Sequence, residues 1–453
     1  MGHSETVTES RTPPMVRPSL TATIDAIRSG RLSPAEHIAT VLDRLAADPF
    51  NTVITLDAER ATATAATLTA EAARGRWRGP LHGIAVGVKD LIDVAGLPSR
   101  CGSNVRRDVP PAAVDAPVVA RLRAAGAVVV AKLHTQEFAH GPTGDVAATG
   151  PARNPHDPTR ITGGSSSGSA AAVAAGHLPL ALGTDTGCSV RTPAALCGVV
   201  GLKPAYGALP TDGVFPLAES LDHVGALAAD VAGTALAWSV LGGREPGAPT
   251  PVAGLRVGVP VDDYWQPADP AIAPWPDAAV RALAAAGARV VPVRTPMIEE
   301  LVAAYPLIVG NEAYATHCRT LAERPEDYQP LIRERLLGFA DRPAREYIEA
   351  QRTRRRLVPA FRAAVADVDV LVLATTRLRA TPIGAASVEV GGRSVDVRPA
   401  LLALNSPFNL TGWPAVSIPA PVDGLPVGLQ VVGVGLDEHG VLDVAAAVER
   451  AWR

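Results

Sequence analysis

The chain has 453 residues, of which 47% are hydrophobic and 19% charged, and its formal net charge is -3. This composition is typical of a large globular protein with an ample apolar core, and it lacks the strongly basic face or tail of a nucleic-acid-binding protein. No uninterrupted apolar run approaches the roughly 20 residues that span a bilayer. We therefore expect no nucleic acid and no membrane as partners.

The N-terminus and the cysteines indicate the cellular compartment of the protein. Residues 1–18 are polar and lack an apolar stretch, so we expect a disordered N-terminal arm rather than a secretory signal. The four cysteines include no C-x-x-C pair and are too few for a disulfide scaffold. These features predict a cytoplasmic protein without a structural zinc or a redox motif.

The first third of the chain alternates between helical and strand patterns. Four helices are predicted: near 19–29, after the capping box Ser33-Pro34-Ala35-Glu36, over 57–75 and over 117–125. Two short apolar runs bounded by glycine, at 84–88 and 127–132, predict buried strands.

The stretch 163–194 places a short helix between two loops rich in glycine and serine. The first loop, 163–168, precedes a helix over 170–175, and a strand over 178–182 leads to a second loop that ends at Ser189. Glycines in such turns leave backbone N–H groups free to face a ligand. The alternation of helix and strand predicts α/β architecture with a largely parallel or mixed sheet.

The second half of the chain continues this pattern after a surface connector at 242–251. Residues 277–365 are predicted to be mainly helical. The remaining predicted elements are strands at 255–259, 369–373, 416–419 and 428–432 and a last helix over about 437–451.

Ser165, Ser189 and Lys89 can together carry acyl-transfer chemistry without a histidine. A serine hydroxyl attacks a carbonyl when a base takes its proton, and lysine is such a base only when its amine is neutral. Lowering a lysine pKa from about 10.4 to 7 corresponds to about 4.6 kcal/mol, which burial can supply. Asp90 follows Lys89, but successive strand side chains point to opposite faces. The alternative for Lys89 is an ordinary strand-end lysine that reaches solvent.

The two loops also allow simpler interpretations. The 163–168 loop could cradle a phosphate at a helix N-terminus, although it lacks the G-x-x-x-x-G-K-[ST] and G-x-G-x-x-G patterns. Thr186 to Ser189 could form a plain tight turn. The functional alternative is an oxyanion hole, in which successive N–H groups stabilise the negative oxygen of a tetrahedral intermediate.

Taken together, these segments resemble the amidase signature family of serine amidases. The resemblance rests on the order of Val88-Lys89-Asp90, Gly163-Gly-Ser-Ser-Ser-Gly168 and Thr184-Asp-Thr-Gly-Cys-Ser-Val-Arg-Thr-Pro193. It spans roughly residues 80–450 and extends through four further segments: Cys197-Gly-Val-Val-Gly-Leu-Lys-Pro204, Ser220-Leu-Asp-His-Val-Gly225, Phe408-Asn-Leu-Thr-Gly-Trp-Pro-Ala415 and Gly424-Leu-Pro-Val-Gly-Leu-Gln430.

The resemblance implies a fold, a domain organisation and the absence of a cofactor. The implied fold is α/β, a central mixed β-sheet with helices on both faces. We expect a single domain over 19–453, with its core at about 60–230 and 400–450. A more variable helical region at about 255–395 is expected to cover the cleft. No cofactor and no metal are expected.

The resemblance also implies the roles of the site residues. Ser189 is the implied nucleophile, Ser165, which follows a cis peptide bond, relays its proton, and Lys89 is the terminal base. The backbone N–H groups of Thr186, Gly187, Cys188 and Ser189 are the implied oxyanion hole. Asp185 and Arg191 are expected to support this loop without taking part in the chemistry.

The chain departs from the family pattern at two places. Many relatives have glycine or another small residue where Cys188 stands. A cysteine there would be strained if the position requires a positive φ, and would otherwise narrow the pocket. Cys188 is also a competing nucleophile, although no histidine is placed in sequence to activate it. Ala374-Thr375-Thr376 replaces a frequent proline-threonine pair on the substrate side.

The histidines and one arginine cluster invite other hypotheses. His134 and His140 are six residues apart and no H-E-x-x-H occurs, so we favour structural over metal-binding roles for them and for His223. The cluster Arg352, Arg354, Arg355 and Arg356 is expected to lie solvated along a helix, although one member reaching the cleft could bind an acidic substrate.

We therefore predict an amidase that cleaves a carboxamide C–N bond through an acyl-Ser189 intermediate and releases a carboxylic acid with ammonia or an amine. The expected partner is a small-molecule amide, and the sequence leaves open whether the chain forms a homodimer. Three alternatives remain: the amidase subunit of a tRNA-dependent amidotransferase, a biosynthetic acyltransferase, and a non-catalytic binding protein on the same scaffold.

Overall fold

Helices account for much of the chain in the computed structural model, which describes residues 17–245 and 247–453. They are α1 (Leu20–Arg28), α2 (Pro34–Ala46), α3 (Ala58–Ala72), α4 (Pro117–Ala124), α5 (Ser167–Ala174), α6 (Arg191–Cys197), α7 (Val231–Gly242), α8 (Pro274–Ala285), α9 (Ile298–Glu323), α10 (Pro330–Leu337), α11 (Ala344–Ala364), α12 (Val397–Leu402), α13 (Pro407–Leu410) and α14 (Glu438–Ala451).

The strands fall between these helices. They are β1 (Val53–Leu56), β2 (Ala85–Lys89), β3 (Val128–Leu133), β4 (Arg153–Asn154), β5 (Asp157–Ile161), β6 (Leu180–Thr184), β7 (Val200–Lys203), β8 (Val224–Ala228), β9 (Arg256–Pro260), β10 (Arg289–Val293), β11 (Val370–Ala374), β12 (Ser387–Val390), β13 (Arg393–Asp396), β14 (Ala415–Pro419) and β15 (Gly428–Gly433).

One 11-stranded mixed sheet organises the fold, in the order β1-β3-β2-β6-β8-β7-β14-β15-β11-β9-β10. β2 runs parallel to β3 and β6, whereas β8 is antiparallel to both β6 and β7. The register pairs Val88 with Leu182, so β2 and β6 end at the same edge of the sheet. This register brings Lys89 and Thr184, the last residues of the two strands, together.

The alternation of side chains along β2 explains why helices cover both faces. Val86 and Val88 pack with apolar residues of α1, α4, α7 and α14, whereas Ala85 packs with those of α2, α3 and α5. Every residue of β2 and β6 is buried, and both strands are apolar except for their last residues, Lys89 and Thr184. The predicted α/β class, with a mixed sheet between two helical layers, is confirmed.

A third apolar cluster joins the sheet to α9, α10 and α11. It contains Trp265, Phe361 and Phe408, whose rings pack against one another. Tyr305 of α9 belongs to the same cluster. This layer carries α9 past the sheet edge where Lys89 and Thr184 lie.

Most of the predicted elements are confirmed with small shifts in their ends, including the Ser33–Glu36 capping box. The mainly helical region over 277–365 is confirmed, with β10 (Arg289–Val293) interrupting it as an edge strand beside β9. Residues 1–16 of the predicted arm lie outside the described residues. The single domain over 19–453 stays a prediction. None of the described helices is both long and apolar enough to cross a membrane.

Candidate active site

Lys89 lies fully buried at the end of β2, beside the end of β6. Its Nζ is 2.7 Å from Ser165 Oγ and 2.7 Å from Thr184 Oγ1. The alternative of a strand-end lysine in solvent is therefore wrong. The parallel pairing of β2 and β6 places the threonine hydroxyl where it holds the amine against the serine.

Burial lowers the pKa of Lys89 to about 7, against the opposing effect of the negative charges of Asp185 and Asp222. Asp90 does not approach this amine, because its side chain points to the other face of the sheet and pairs with Lys132 at 3.1 Å. A substantial fraction of Lys89 is therefore neutral near pH 7, as a general base requires.

Ser165 lies in the loop before α5, and its hydroxyl is completely buried. The peptide bond between Gly164 and Ser165 is cis, as the family resemblance implies. The Gly164 N–H donates to the Pro142 carbonyl at 2.6 Å, and the Ser165 carbonyl accepts from the Gln136 N–H at 3.2 Å. These bonds fix the loop, so that the Ser165 hydroxyl faces Lys89.

The second loop, residues 185–189 and hereafter the Ser189 loop, leaves its backbone N–H groups open. Within residues 17–245 and 247–453, the N–H groups of residues 186–189 donate to no protein acceptor. The next two N–H groups, of Val190 and Arg191, both donate to Asp185 Oδ2. The unused donors thus coincide with the four positions that the resemblance assigns to the oxyanion hole.

A buried ion pair lies beneath this loop. Arg191 and Asp185, both fully buried, approach to 2.9 Å. Burial alone would raise the pKa of Asp185, but the Arg191 guanidinium outweighs it and lowers that pKa well below its usual range. Three further partners complete the network: Arg191 donates to Asn409 Oδ1 (2.6 Å), to Gln430 Oε1 (2.7 Å) and to the Asn405 carbonyl (3.0 Å).

Sequence reasoning missed these three supporting residues and two others. Asn409 and Gln430 lie in distal segments that carry the family resemblance, which is the signal that could have singled them out. The others are Thr184, beside Lys89, and Asp222, which accepts the Thr186 hydroxyl at 2.5 Å. Burial raises the pKa of Asp222 to about 6.

The two site serines are brought onto adjacent loops. The Ser166 N–H donates to the Ser189 carbonyl at 3.2 Å, which ties the loops together. Among the hydrogen bonds of the described residues, Ser165 is linked to Lys89 but not to the Ser189 hydroxyl. Ser189 keeps 5% of its surface exposed, whereas Ser165 and Lys89 are completely covered. Of the three residues, Ser189 is therefore the one that a substrate can reach.

Cys188 packs against the cis peptide rather than against the cavity. Its thiol lies 3.9 Å from the Gly164 carbonyl oxygen. Cys188 is not among the described non-glycine residues with a positive φ, so the strained alternative is wrong. Burial, with the charge of Asp185, raises the pKa of its thiol to about 12, which keeps it protonated and disfavours it as a nucleophile.

A cavity of about 860 Å³ is lined by residues of α9, α10 and α12 but by none of the Ser189 loop. Tyr305 connects the cavity to the loop: it lines the cavity, and a Cβ added at Gly187 would lie 2.0 Å from its hydroxyl oxygen. A side chain at position 187 would therefore require Tyr305 to move. Two other aromatic residues of the 255–395 region, Tyr264 and Phe339, also line the cavity, whereas Trp265 lies in the core and Tyr347 is bonded to Glu312.

Of the three histidines considered as metal ligands, His134 and His223 lie within hydrogen-bonding networks, whereas His140 lines the cavity and its Nδ1 is buried without a partner. Both nitrogens of His134 are bonded, to Ser167 Oγ at 2.7 Å and to the Gly150 carbonyl at 2.8 Å. His223 Nδ1 lies 2.6 Å from the Leu221 carbonyl and 3.0 Å from that of Asp185. The described part of the chain holds no group of three or more His, Cys, Asp or Glu side chains suited to a metal ion.

The basic cluster on α11 does not line the cavity. Arg354 donates to the Leu410 and Ser220 carbonyls, and Arg356 pairs with Glu300 at the surface. Ala374 to Thr376, the second departure from the family pattern, are buried, and Thr375 Oγ1 lies 2.8 Å from Ser417 Oγ.

Comparison with known proteins places this geometry in a family. The amidase family model matches residues 36–442. The chain is 38% identical over 435 residues to AtzE, the 1-carboxybiuret hydrolase subunit of Pseudomonas sp. (strain ADP), covering 92% of this chain and 94% of that protein. It is 35% identical over 450 residues to a glutamyl-tRNA(Gln) amidotransferase subunit of Koribacter versatilis (strain Ellin345), covering 89% and 91%.

Solved structures agree with this placement. A crystal structure of an amidase superimposes with a TM-score of 0.90 at 36% identity, covering 96% of this chain and 100% of that one. The native peptide amidase of Stenotrophomonas maltophilia superimposes with a TM-score of 0.83 at 29% identity, covering 97% and 98%. The chain thus belongs to the amidase signature family and is an amidase, a hydrolase of carboxamide C–N bonds.

Proposed function

We propose that this amidase works through an acyl-Ser189 intermediate, with Ser165 as the proton relay and Lys89 as the terminal base. The observation that carries the proposal is the 2.7 Å contact between the buried Lys89 Nζ and Ser165 Oγ, at an amine whose pKa burial lowers to about 7. A lysine held neutral next to a hydroxyl is a base with a defined proton donor.

In the first half-reaction, Ser189 Oγ attacks the carboxamide carbon. Its proton passes to Ser165 Oγ as the Ser165 proton passes to Lys89 Nζ. The relay requires the two serine hydroxyls to come into contact when substrate is bound, since catalytic hydrogen bonds often tighten only in the complex. Thr184, which holds Lys89 at 2.7 Å, keeps the amine in line with Ser165.

The negative oxygen of the tetrahedral intermediate is stabilised by the open N–H groups of Thr186, Gly187, Cys188 and Ser189. Removal of one such donor in other acyl-transfer enzymes costs about 10²- to 10³-fold in rate. Asp185 and Arg191 act as positioning residues, because their buried pair holds the backbone that follows Ser189.

The relay then runs in reverse. The proton on Lys89 returns through Ser165 to the leaving nitrogen, the C–N bond breaks, and ammonia or an amine departs. Water attacks the Ser189 ester and gives a proton to the same relay. The relay returns that proton to Ser189 Oγ as the ester C–O bond breaks, which releases the carboxylic acid and restores the free enzyme. No cofactor takes part in these steps.

A trapping experiment tests this assignment. The protein is incubated with a panel of small primary amides, and ammonia release and intact protein mass are measured. We expect an acyl adduct that maps to the peptide with Ser189, and a hydroxamate when hydroxylamine replaces water. An acyl adduct on Cys188 instead of Ser189 would contradict the proposal. Turnover by both wild type and Lys89→Met without any acyl adduct would contradict it as well.

A second function is favoured by the 35% identity to the amidotransferase subunit of Koribacter versatilis. In that case the chain would release ammonia from glutamine for a partner protein. Copurification with a second polypeptide together with glutaminase activity would support it, whereas turnover of other amides by the lone polypeptide supports the independent amidase.

The compartment and assembly also remain proposals. We propose a reducing cytoplasm, a setting that suits the four cysteines, which are all free. A homodimer is the assembly to test, by measuring the molecular mass in solution.

A further inference from the structure

The cavity beside the Ser189 loop carries an excess of unpaired positive charge. Three arginines line it, Arg335, Arg377 and Arg398. Within residues 17–245 and 247–453, no carboxylate oxygen lies within 4.0 Å of any of the three guanidinium groups. Arginines in partly buried positions are normally paired, so this arrangement suits an anionic group of a ligand.

The three arginines differ in how much the protein itself holds them. Arg377 donates to the Tyr264 carbonyl and lies over the Tyr264 ring, with its Cζ 4.9 Å from the ring centre. Arg335 donates to the His140 carbonyl at 2.9 Å. The Arg398 guanidinium donates to no other described residue, and its Nε, like that of Arg377, is buried without a partner. Arg398 is thus the least satisfied cation in the cavity wall.

Arg335 and Arg398, hereafter the wall arginines, also act on each other. Burial, with the positive charge of Arg398, lowers the pKa of Arg335 to about 10. Two like charges at close range repel each other, and an anion between them converts that repulsion into two attractions.

The carboxylates around the cavity leave this need unmet. Asp263 and Glu299 line it, but in the described part of the chain neither lies within 4.0 Å of a wall arginine, and the charge of Glu299 acts on Arg377 instead. The charges of Asp145 and the exposed Glu334 reach Arg335 without forming an ion pair with it, and Asp145 already accepts the Gly384 N–H at 2.9 Å. The positive charge of the wall therefore remains available to a ligand.

The wall arginines are connected to the reacting centre on two sides. On one side, Tyr305 lines the same cavity and its hydroxyl packs against Gly187 of the Ser189 loop. On the other, Arg335 holds the His140 carbonyl, and Pro142, two residues on, accepts the Gly164 N–H next to Ser165. The cavity is thus connected to one site loop through Tyr305 and to the other through the segment 140–142.

We propose that Arg398, assisted by Arg335, binds a carboxylate of the substrate, so that the preferred substrates are small amides with a free carboxylate beyond the scissile carboxamide. This inference rests on the proposed amidase mechanism and adds the substrate class. A guanidinium presents a planar fork of donors that matches a carboxylate, and such charge-assisted bonds fix orientation as well as affinity.

Matched pairs of substrates test the proposal. Each monoamide of malonic, succinic, glutaric and adipic acid is compared with the corresponding neutral diamide, which has nearly the same shape. The measured quantity is the ratio of kcat/KM for the monoamide to kcat/KM for the diamide. We expect wild type to favour at least one monoamide by about 10- to 100-fold, the range that a charged hydrogen bond provides.

Two variants assign the preference to Arg398. Arg398→Gln is expected to lower this ratio by about 10- to 100-fold, and Arg398→Lys by less, since it keeps the charge but not the fork. Arg393→Gln is the matched control, because Arg393 is exposed on β13 and its replacement removes the same charge outside the cavity. Its ratio should equal that of wild type. Circular dichroism shows whether each variant folds.

Calorimetric binding of the dicarboxylate product to Ser189→Ala gives a readout that is independent of turnover. We expect Arg398→Gln in this background to weaken binding by a similar factor. Equal use of monoamides and diamides by wild type, or an unchanged ratio and affinity in Arg398→Gln, would overturn the carboxylate subsite while leaving the amidase mechanism intact. Lack of turnover on every amide with intact dicarboxylate binding would instead overturn the mechanism.

Discussion

Charged side chains are paired with each other beneath the Ser189 loop but lack carboxylate partners in the cavity wall. Beneath the loop, Asp185 and Arg191 are completely buried and pair with each other and with neighbouring amides. In the wall, Arg335 and Arg398 have no carboxylate partner within the described residues. The loop is complete before substrate arrives, whereas the wall is complete only when an anion is bound.

This contrast separates reaction type from substrate choice. A preorganised loop, with its N–H donors open and its support paired, can stabilise a tetrahedral oxyanion without rearrangement. The wall contributes nothing to that chemistry, but it can discriminate between ligands that differ by one charge. Variants in the loop should therefore affect all amides equally, and variants in the wall should affect them selectively.

The largest effect is expected at the nucleophile. Ser189→Ala should lower kcat on every amide by about 10⁴- to 10⁶-fold, because the attacking hydroxyl is lost while the loop remains. Cys188→Ala is the matched control one residue away, and it should lower kcat by less than about tenfold, since its backbone N–H is retained. Rates are measured as ammonia release. Equal losses in the two variants would contradict the assignment of Ser189.

The second effect concerns the base. Lys89→Met should lower kcat/KM by about 10²- to 10⁴-fold, the usual contribution of a general base. In wild type, burial sets the pKa of Lys89 at about 7, so kcat/KM should rise with pH and reach a plateau above about 7. The amine is the active form, so the rate falls about tenfold per pH unit below that value.

The pH profile of this variant separates the base from a merely structural lysine. The residual kcat/KM of Lys89→Met should not show the rise with pH near 7, hereafter the limb. Asp222→Asn should keep the limb but move it to lower pH, because the negative charge of Asp222 raises the pKa of Lys89. A limb near 7 that persists unchanged in Lys89→Met would show that another group titrates there.

Short-range patterns were enough to predict much of the sheet and to single out the residues proposed to react. The buried strand ending at Lys89 and the two Gly/Ser loops are continuous in sequence, and the family resemblance supplied their roles. The edge strand β10 was missed although it contains three valines, because a proline interrupts its run and only its last residue is buried. The central strands β7 and β8, which are buried along their whole length, were not predicted either, since four or five residues next to glycines give too short a pattern.

Long-range partners could not be predicted in the same way. Arg191 and its acceptors Asn409 and Gln430 are 218 and 239 residues apart, and no local pattern joins them. The wall arginines belong to α10 and α12, which line one cavity only in the folded chain. The sequence drew attention to the arginines of α11 instead, since clustering along the chain is visible and convergence in space is not.

The third effect is on stability and tests the pairing beneath the loop. Arg191→Met should lower the free energy of unfolding by about 3 to 5 kcal/mol, because it leaves Asp185 buried without its counter-charge. Arg356→Met is the matched control: it breaks the exposed pair with Glu300, and should cost at most about 1 kcal/mol. Urea denaturation at pH 7 measures both. Similar losses in the two variants would contradict the special role of the buried pair.

The smallest effect is expected at Thr184, which holds Lys89 from the side opposite Ser165. When the neutral amine accepts the Ser165 proton, its own N–H donates to Thr184 Oγ1, 2.7 Å away. Thr184→Val removes this acceptor and should lower kcat by about tenfold, the value of a single hydrogen bond. Loss of an acceptor that favours the charged amine also lowers the pKa of Lys89, so the limb in kcat/KM should move to lower pH.

Thr184→Ser keeps the hydroxyl and should restore both the rate and the position of the limb. A Thr184→Val enzyme with the wild-type pH profile would show that burial alone holds Lys89 neutral and that the threonine only fills space.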